Sequence, residues 1–244
     1  MVSIIGIIGT WPIVIVFGIC SGLVLRSYLK NPNRTKIFYL LWTMSTALIY
    51  VSWGLRVLFI PQFTTDKIVL YPFWAVCYGF GGLALISLDF ASLDQIKNRE
   101  STLIKIIRII ILASFSLVLI ILFTGFDQDL TIFMDVSDLT IKNPFVYFYF
   151  TFVIMLYIFF PNAIFINYLI KSDEKDTFTY KRVRIIELGI LVFSISLALD
   201  GMRFPSNIGI LIIRIFLMIG GLITMKGFLM KPIEKYVFQL EKKN

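Results

Sequence analysis

The sequence predicts an all-α membrane protein, a bundle of seven transmembrane helices. Three observations predict it: an apolar composition, seven long runs almost free of charge, and Lys and Arg gathered in alternate loops. The 244 residues are 58% hydrophobic and only 16% charged, with a mean hydropathy of +0.87. Soluble domains are about 45–50% apolar and about 25% charged. A soluble fold of this length could not hide so much apolar surface.

About 20 apolar residues cross the hydrocarbon core of a bilayer, and each run meets that length or comes close to it. The first, 3–25, carries no charge. A cleaved leader needs a basic stretch ahead of its apolar core; residues 1–3 have none and the apolar stretch is too long, so an uncleaved span is expected. The second run, 37–60, contains Arg56. The third, 68–88, stops at Asp89. The fourth, 106–126, has Arg108 at its start. The fifth, 145–170, has Pro161 inside it, the one proline expected well within a span. The sixth, 185–202, carries Glu187 and Asp200 near its two ends. The seventh, 206–230, contains Arg214. Residues 1–230 are expected to form the bundle and 231–244 a cytoplasmic tail helix.

The loops orient the bundle. Loop one holds Arg26, Lys30, Arg34 and Lys36. Loop three and the start of span four hold Lys97, Arg99, Lys105 and Arg108. Loop five holds Lys171, Lys175, Lys181, Arg182 and Arg184. The C-terminal end holds Lys226, Lys231, Lys235, Lys242 and Lys243. The alternate loops hold only Lys67, Lys142 and Arg203. Basic residues concentrate in cytoplasmic loops, so the 18-to-3 bias puts the odd-numbered loops and the C-terminus in the cytoplasm. An odd number of spans then puts the N-terminus outside, in a multi-pass protein of the cell membrane. The same bias accounts for the net charge of +8, which in a soluble protein would have pointed to nucleic acid as a partner. No nucleic-acid partner is expected here.

Residue usage excludes several chemistries. With no histidine, His-ligated haem, His-box di-iron sites and His relays are out of reach. Cys20 and Cys77 each sit in an apolar run, where thiols commonly pack. No metal site, no cofactor and no enzymatic activity is expected: neither a nucleophile with a base nor paired acids on one face can be found.

Charged groups at membrane depth are costly and usually face a partner or a cavity. In this topology Arg56, Asp200 and Arg203 lie near the outer ends of spans two and six. Arg214 lies nine residues past Pro205, about 13 Å below the outer surface at 1.5 Å per residue. Three positive charges and one negative therefore share the outer half. One reading is an outward pocket for an anionic or carboxylate-bearing ligand, which guanidinium groups hold bidentately. The other is an Asp200–Arg214 helix-to-helix ion pair, with Arg56 and Arg203 snorkelling to headgroups. Trp42, Thr46, Trp53 and Arg56 share one face of span two, and Tyr71, Trp74 and Tyr78 one face of span three, by the 3.6-residue period. Those faces either line the pocket or serve packing and an interfacial belt. Asp89 and Glu187 fall near the cytoplasmic end, where loop Lys and Arg are expected to neutralise them. Gly79, Gly81, Gly82, Gly220 and Gly221 are expected to permit close helix contacts.

Two further segments have readable patterns. In the fourth loop, Leu130–Thr131–Ile132–Phe133 and Leu139–Thr140–Ile141 flank Asp135–Val136–Ser137–Asp138. Two β-prone runs around a turn-rich centre predict a hairpin capping the pocket, with an unstructured loop as the alternative. In the tail, Ile233, Tyr236, Val237 and Leu240 repeat at helical spacing, as in a helix lying on the inner leaflet or docking a cytoplasmic protein.

Three families bear comparison. Microbial rhodopsins hold retinal on a lysine in the middle of the last span; here Arg214 is in that middle, Lys226 is at the cytoplasmic end, and the carboxylate pair expected in span three is absent. Pro61–Gln62 is similar to the dipeptide of the PQ-loop and sugar-transporter group, but it occurs once, at an external span end. The stretch from Leu41–Trp42 to Trp53, the aromatic and glycine-rich residues 71–82, and the last span leading through Gly227–Phe228 and Lys231–Pro232 resemble the seven-helix sensory module of many prokaryotic histidine kinases. That resemblance implies a receptor-like sensor in signal transduction. It would bind a small ligand from outside through Arg56, Asp200, Arg203, Arg214, Trp53, Trp74 and Tyr78. A helix movement would then pass to a separate cytoplasmic signalling partner, since no kinase domain follows. The alternative is a small-solute transporter of the PQ-loop type.

Overall fold

The computed structural model describes residues 3–94, 101–124, 128–171, 177–201 and 207–230. It contains seven helices: α1 (Ile4–Lys30), α2 (Arg34–Phe59), α3 (Lys67–Leu93), α4 (Thr102–Phe123), α5 (Pro144–Lys171), α6 (Phe178–Gly201) and α7 (Asn207–Leu229). Six of them are long and apolar enough to cross a membrane, so the chain is a helical, multi-pass membrane protein. The exception, α6, is long enough at 24 residues. Lys181, Arg182, Arg184 and Glu187 at one end and Asp200 at the other make it less apolar.

Small polar residues start the helices. Ser3, Asn33, Asp66 and Ser101 each accept a hydrogen bond from a first-turn backbone N–H of α1, α2, α3 and α4. Asn143 does so for α5, from Phe145 and Val146, and Thr177 for α6, from Tyr180. These are the residue types whose short side chains satisfy the orphan N–H groups of a first turn. Three prolines, Pro12, Pro72 and Pro161, lie inside helices that run on through them. The first two join the single interior proline expected from the sequence.

The helices close a ring in the order α1, α2, α3, α5, α6, α7, with α4 outside it against α3. α4 reaches α5 through Ser114 and Tyr157, whose hydroxyls lie 2.5 Å apart. Their outward faces are apolar, as in Ile8, Ile15, Ile109, Phe148 and Phe159, which is what lipid requires of a helix surface. α6 and α7 meet backbone to backbone. A Cβ at Gly220 would come within 2.5 Å of the Phe193 nitrogen, and one at Gly227 within 2.9 Å of the Ile186 nitrogen. Gly82 and Gly221 face aromatic rings, Phe115 and Phe17. Gly79 and Gly81 have nothing closer than 3.9 Å, so these two leave space and do not provide contact.

Between α4 and α5 stands an antiparallel hairpin of β1 (Gln128–Phe133) and β2 (Val136–Ile141). Phe133 pairs with Val136, which leaves Met134–Asp135 as a two-residue turn. Both have positive φ, 50° and 60°, as a twist-matched I′ hairpin turn demands. The turn therefore lies earlier than the 135–138 centre expected from the sequence, and Val136, Ser137 and Asp138 are strand. We call this the hairpin end of the bundle and the opposite one, with the α1–α2 turn and the start of α6, the basic end.

Candidate functional site

Arg214 is 3% exposed and engaged through Nε and Nη1. Its Nε donates to Asp200 Oδ1 at 3.0 Å. Its Nη1 donates to the Gly9 carbonyl at 3.1 Å and to Thr10 Oγ1 at 3.2 Å. The Tyr50 hydroxyl donates to the other Asp200 oxygen at 2.9 Å. The guanidinium sits among the rings of Tyr50, Trp53 and Phe133, 5.2–5.8 Å from their centroids. One arginine thus ties α1, α2, α6, α7 and the hairpin together. Of the two readings of the Asp200–Arg214 charges, the ion pair forms.

Arg56 does not snorkel. It is 2% exposed and donates to the carbonyls of Ile60, Pro61 and Ser137, the last at 2.8 Å. The Ser137 N–H donates in turn to the Gln62 carbonyl at 2.7 Å. The hairpin is pinned further where Ser3 Oγ donates to the Met134 carbonyl (3.0 Å) and Asn207 to Asp135 (3.1 Å). Lys67 donates to the Gln128 carbonyl. The Met134 side chain is buried among Trp53, Val57 and Ile210.

Beneath this lid lies a cavity of about 230 Å³, smaller than the ~300–1,000 Å³ of ordinary ligand pockets. Helices α2 to α7 and the hairpin line it. Six expected site residues are among its walls: Arg56, Asp200, Arg214, Trp53, Trp74 and Tyr78. Arg203 lies outside the described residues, as does the tail, 231–244. Trp74 stacks on Tyr78 at 4.8 Å and Tyr78 meets Phe150 edge-on at 5.9 Å; Tyr71 lies behind Trp74 at 6.0 Å. Trp42 is not at the cavity. It packs in the core against Phe17 and Phe193.

The sequence did not single out Tyr50 or Asp138, both of which line the cavity. Tyr50 lies between Thr46 and Trp53 on the same face, four residues after one and three before the other, so periodicity could have found it. Asp138 arrives on the hairpin, and no local pattern brings it there. The lining charges are Arg56 and Arg214 against Asp138 and Asp200, two of each sign, so the positive excess expected from the sequence does not arise among the described residues. Two of the described lining residues carry a buried donor without a partner, at Trp74 Nε1 and Arg56 Nε. Cys77 also lines the cavity and donates to the Ile49 carbonyl at 3.4 Å; it and Cys20 are free thiols.

Asp89 and Glu187 depart from expectation. They are 0% and 4% exposed, and none of their carboxyl oxygens has a hydrogen-bond partner among the described residues. Three of the loop arginines are engaged elsewhere. Arg108 and Arg34 lie 2.6 and 3.8 Å from Asp94, and Arg182 donates to the last carbonyls of α7, Gly227 and Phe228.

Fold and site together define a multi-pass helical membrane protein with an aromatic cavity beneath its hairpin. The chain matches no protein-family model and no curated protein.

Proposed function

We propose that this protein is a receptor-like sensor in the cell membrane, with all seven helices spanning, the hairpin end outside and the basic end in the cytoplasm. The observation that carries this reading is the cavity, whose walls include Asp200 of α6 and Arg214 of α7. An occupant touches the ion pair that joins those two helices. A ligand that favours one arrangement of α6 and α7 over another shifts the population between them, and the segment after α7 carries the shift to a separate signalling protein.

The ligand in this reading is a small, uncharged, ring-bearing molecule with an oxygen acceptor. The paired charges leave no excess to attract an anion. The aromatic walls accept a ring, and the Trp74 and Arg56 N–H groups left without acceptors supply the hydrogen bonds. Transport is the weaker reading, because transporter sites are commonly built from helices broken at mid-membrane, and the helices here run on through their prolines.

The test uses aromatic ketones, with aromatic carboxylates of equal ring size as controls, on the protein in nanodiscs. A Cβ at Gly81 would meet only Ile49 Cδ1 at 3.9 Å, so Gly81→Leu fills the cavity without breaking a helix contact. We expect ketones to quench the tryptophan fluorescence of the wild type and to alter proteolysis of the tail, and Gly81→Leu to lose both effects. Quenching that survives Gly81→Leu, or a preference for the carboxylates, would sink the assignment.

A further inference from the structure

A second pocket, of about 700 Å³, opens at the basic end between α1, α2, α6 and α7. Its rim holds Arg26, Lys30, Lys36 and Arg182 against one acid, Asp94. That acid is already engaged by Arg108 at 2.6 Å and Arg34 at 3.8 Å. Two of the four cations are fixed in place. Lys36 Nζ donates to the carbonyls of Ser27 (2.9 Å) and Asn31 (2.7 Å). Arg182 donates to those of Gly227 (3.2 Å) and Phe228 (2.9 Å). Arg26 and Lys30 are exposed and project from the last turns of α1.

The lining also includes Tyr39, which is 1% exposed and whose hydroxyl has no hydrogen-bond partner among the described residues. A buried hydroxyl without a partner is unfavourable, so an acceptor arriving there relieves a standing deficit. Below the basic rim the wall turns apolar, with Leu23, Phe165, Val183, Ile186 and Leu229. Leu23 and Leu229 are 40% and 36% exposed, so this wall continues into the apolar outer surface of the bundle.

We propose that this pocket binds an anionic phospholipid, its phosphate held by Arg26, Lys30, Lys36 and the Tyr39 hydroxyl and its first acyl methylenes lying on the apolar wall. The chemistry fits each half. Phosphate oxygens accept charge-assisted hydrogen bonds, basic clusters at a membrane end recognise anionic headgroups, and a free phosphate would leave the apolar wall unused. The inference rests on the membrane reading of the chain and is independent of the sensor cavity.

The test is lipid retention by native mass spectrometry, with thermal melting, for protein purified in neutral detergent. Phosphatidylglycerol, phosphatidylcholine and inorganic phosphate are the three probes. We expect phosphatidylglycerol to be retained and to raise the melting temperature, and the other two to do neither. Arg26→Gln with Lys30→Gln lowers phosphatidylglycerol affinity by about tenfold or more. Tyr39→Phe weakens it with the rim charge intact. Lys181→Gln with Lys226→Gln removes equal charge from exposed residues outside the pocket and leaves affinity unchanged. Equal retention of the two lipids overturns the proposal, as does equal loss in the two double variants. Protection by inorganic phosphate alone assigns the pocket to a soluble phosphate compound and overturns the lipid.

Discussion

Arg214 shows how burial changes the value of a charge. In water an Arg–Asp pair contributes little. Inside the bundle each partner is held in place by the other, and removing one strands a desolvated charge, which typically costs about 3–5 kcal/mol. Asp200→Ala and Arg214→Gln should each destabilise the protein by about that much, measured by thermal or denaturant unfolding in detergent. Because both act on one pair, the double variant should cost clearly less than the two single losses together; additive losses would show that the pair is not a unit. Arg214→Lys should not rescue, since a single ammonium cannot serve Asp200, Gly9 and Thr10 in the fork geometry of a guanidinium. Their place in long apolar runs was enough to mark Arg214 and Asp200 from the sequence. Nothing local marked Arg56 as the clamp on the hairpin, because its partners are backbone carbonyls on other segments.

The hairpin is an element whose form is local and whose place is not. Its β-prone runs are legible, and so is the presence of a turn between them. The turn residues are less so: left-handed conformations cost an L-residue about 1–2 kcal/mol, and Met134 is an unusual occupant. It is accepted because its side chain is buried among Trp53, Val57 and Ile210 and its carbonyl accepts from Ser3. Arg56 provides the charged hydrogen bond to Ser137, a kind worth about 1.5–3 kcal/mol. Arg56→Gln should therefore speed amide exchange in residues 128–141 by about tenfold or more while exchange in the centres of α1 and α7 stays slow. If the hairpin and the helices speed up together, Arg56 supports the whole bundle and not the lid. The contact of α6 with α7 follows the same division: Gly220 is a readable small residue, whereas its opposition to Phe193 is decided by packing.

At the scale of the whole molecule the basic residues make an orientation testable. Single reporter cysteines at Asn33 and Asp129, in a background with Cys20 and Cys77 replaced by Ala, should label differently. Asp129, on β1 of the hairpin, should react with an impermeant maleimide on intact cells. Asn33, in the α1–α2 turn, should react only after the membrane is opened. The reverse pattern would invert the proposed topology and put the cavity's lid inside the cell.

Much of this architecture is written in short-range chemistry. Span lengths follow from runs of apolar residues, helix starts from Ser3, Asn33, Asp66, Ser101, Asn143 and Thr177, and the face of α2 that turns inward from the 3.6-residue period. Each of these depends on neighbours within a turn or two, so a linear reading suffices. What the charges do depends on contacts between distant residues. Arg214 meets a carbonyl 205 positions away and Arg56 one 81 positions away. Asp138, carried in on the hairpin, makes the expected cationic pocket a balanced one among the described residues. Asp89 and Glu187 stay unpaired among the described residues, while Arg34 and Arg108 lie against Asp94 and Arg182 binds the end of α7. Sequence alone determined that these groups lie in long apolar runs, where a buried charge needs a partner. The tertiary structure alone decided which partner, because that choice is made by the close packing of helices remote in the chain.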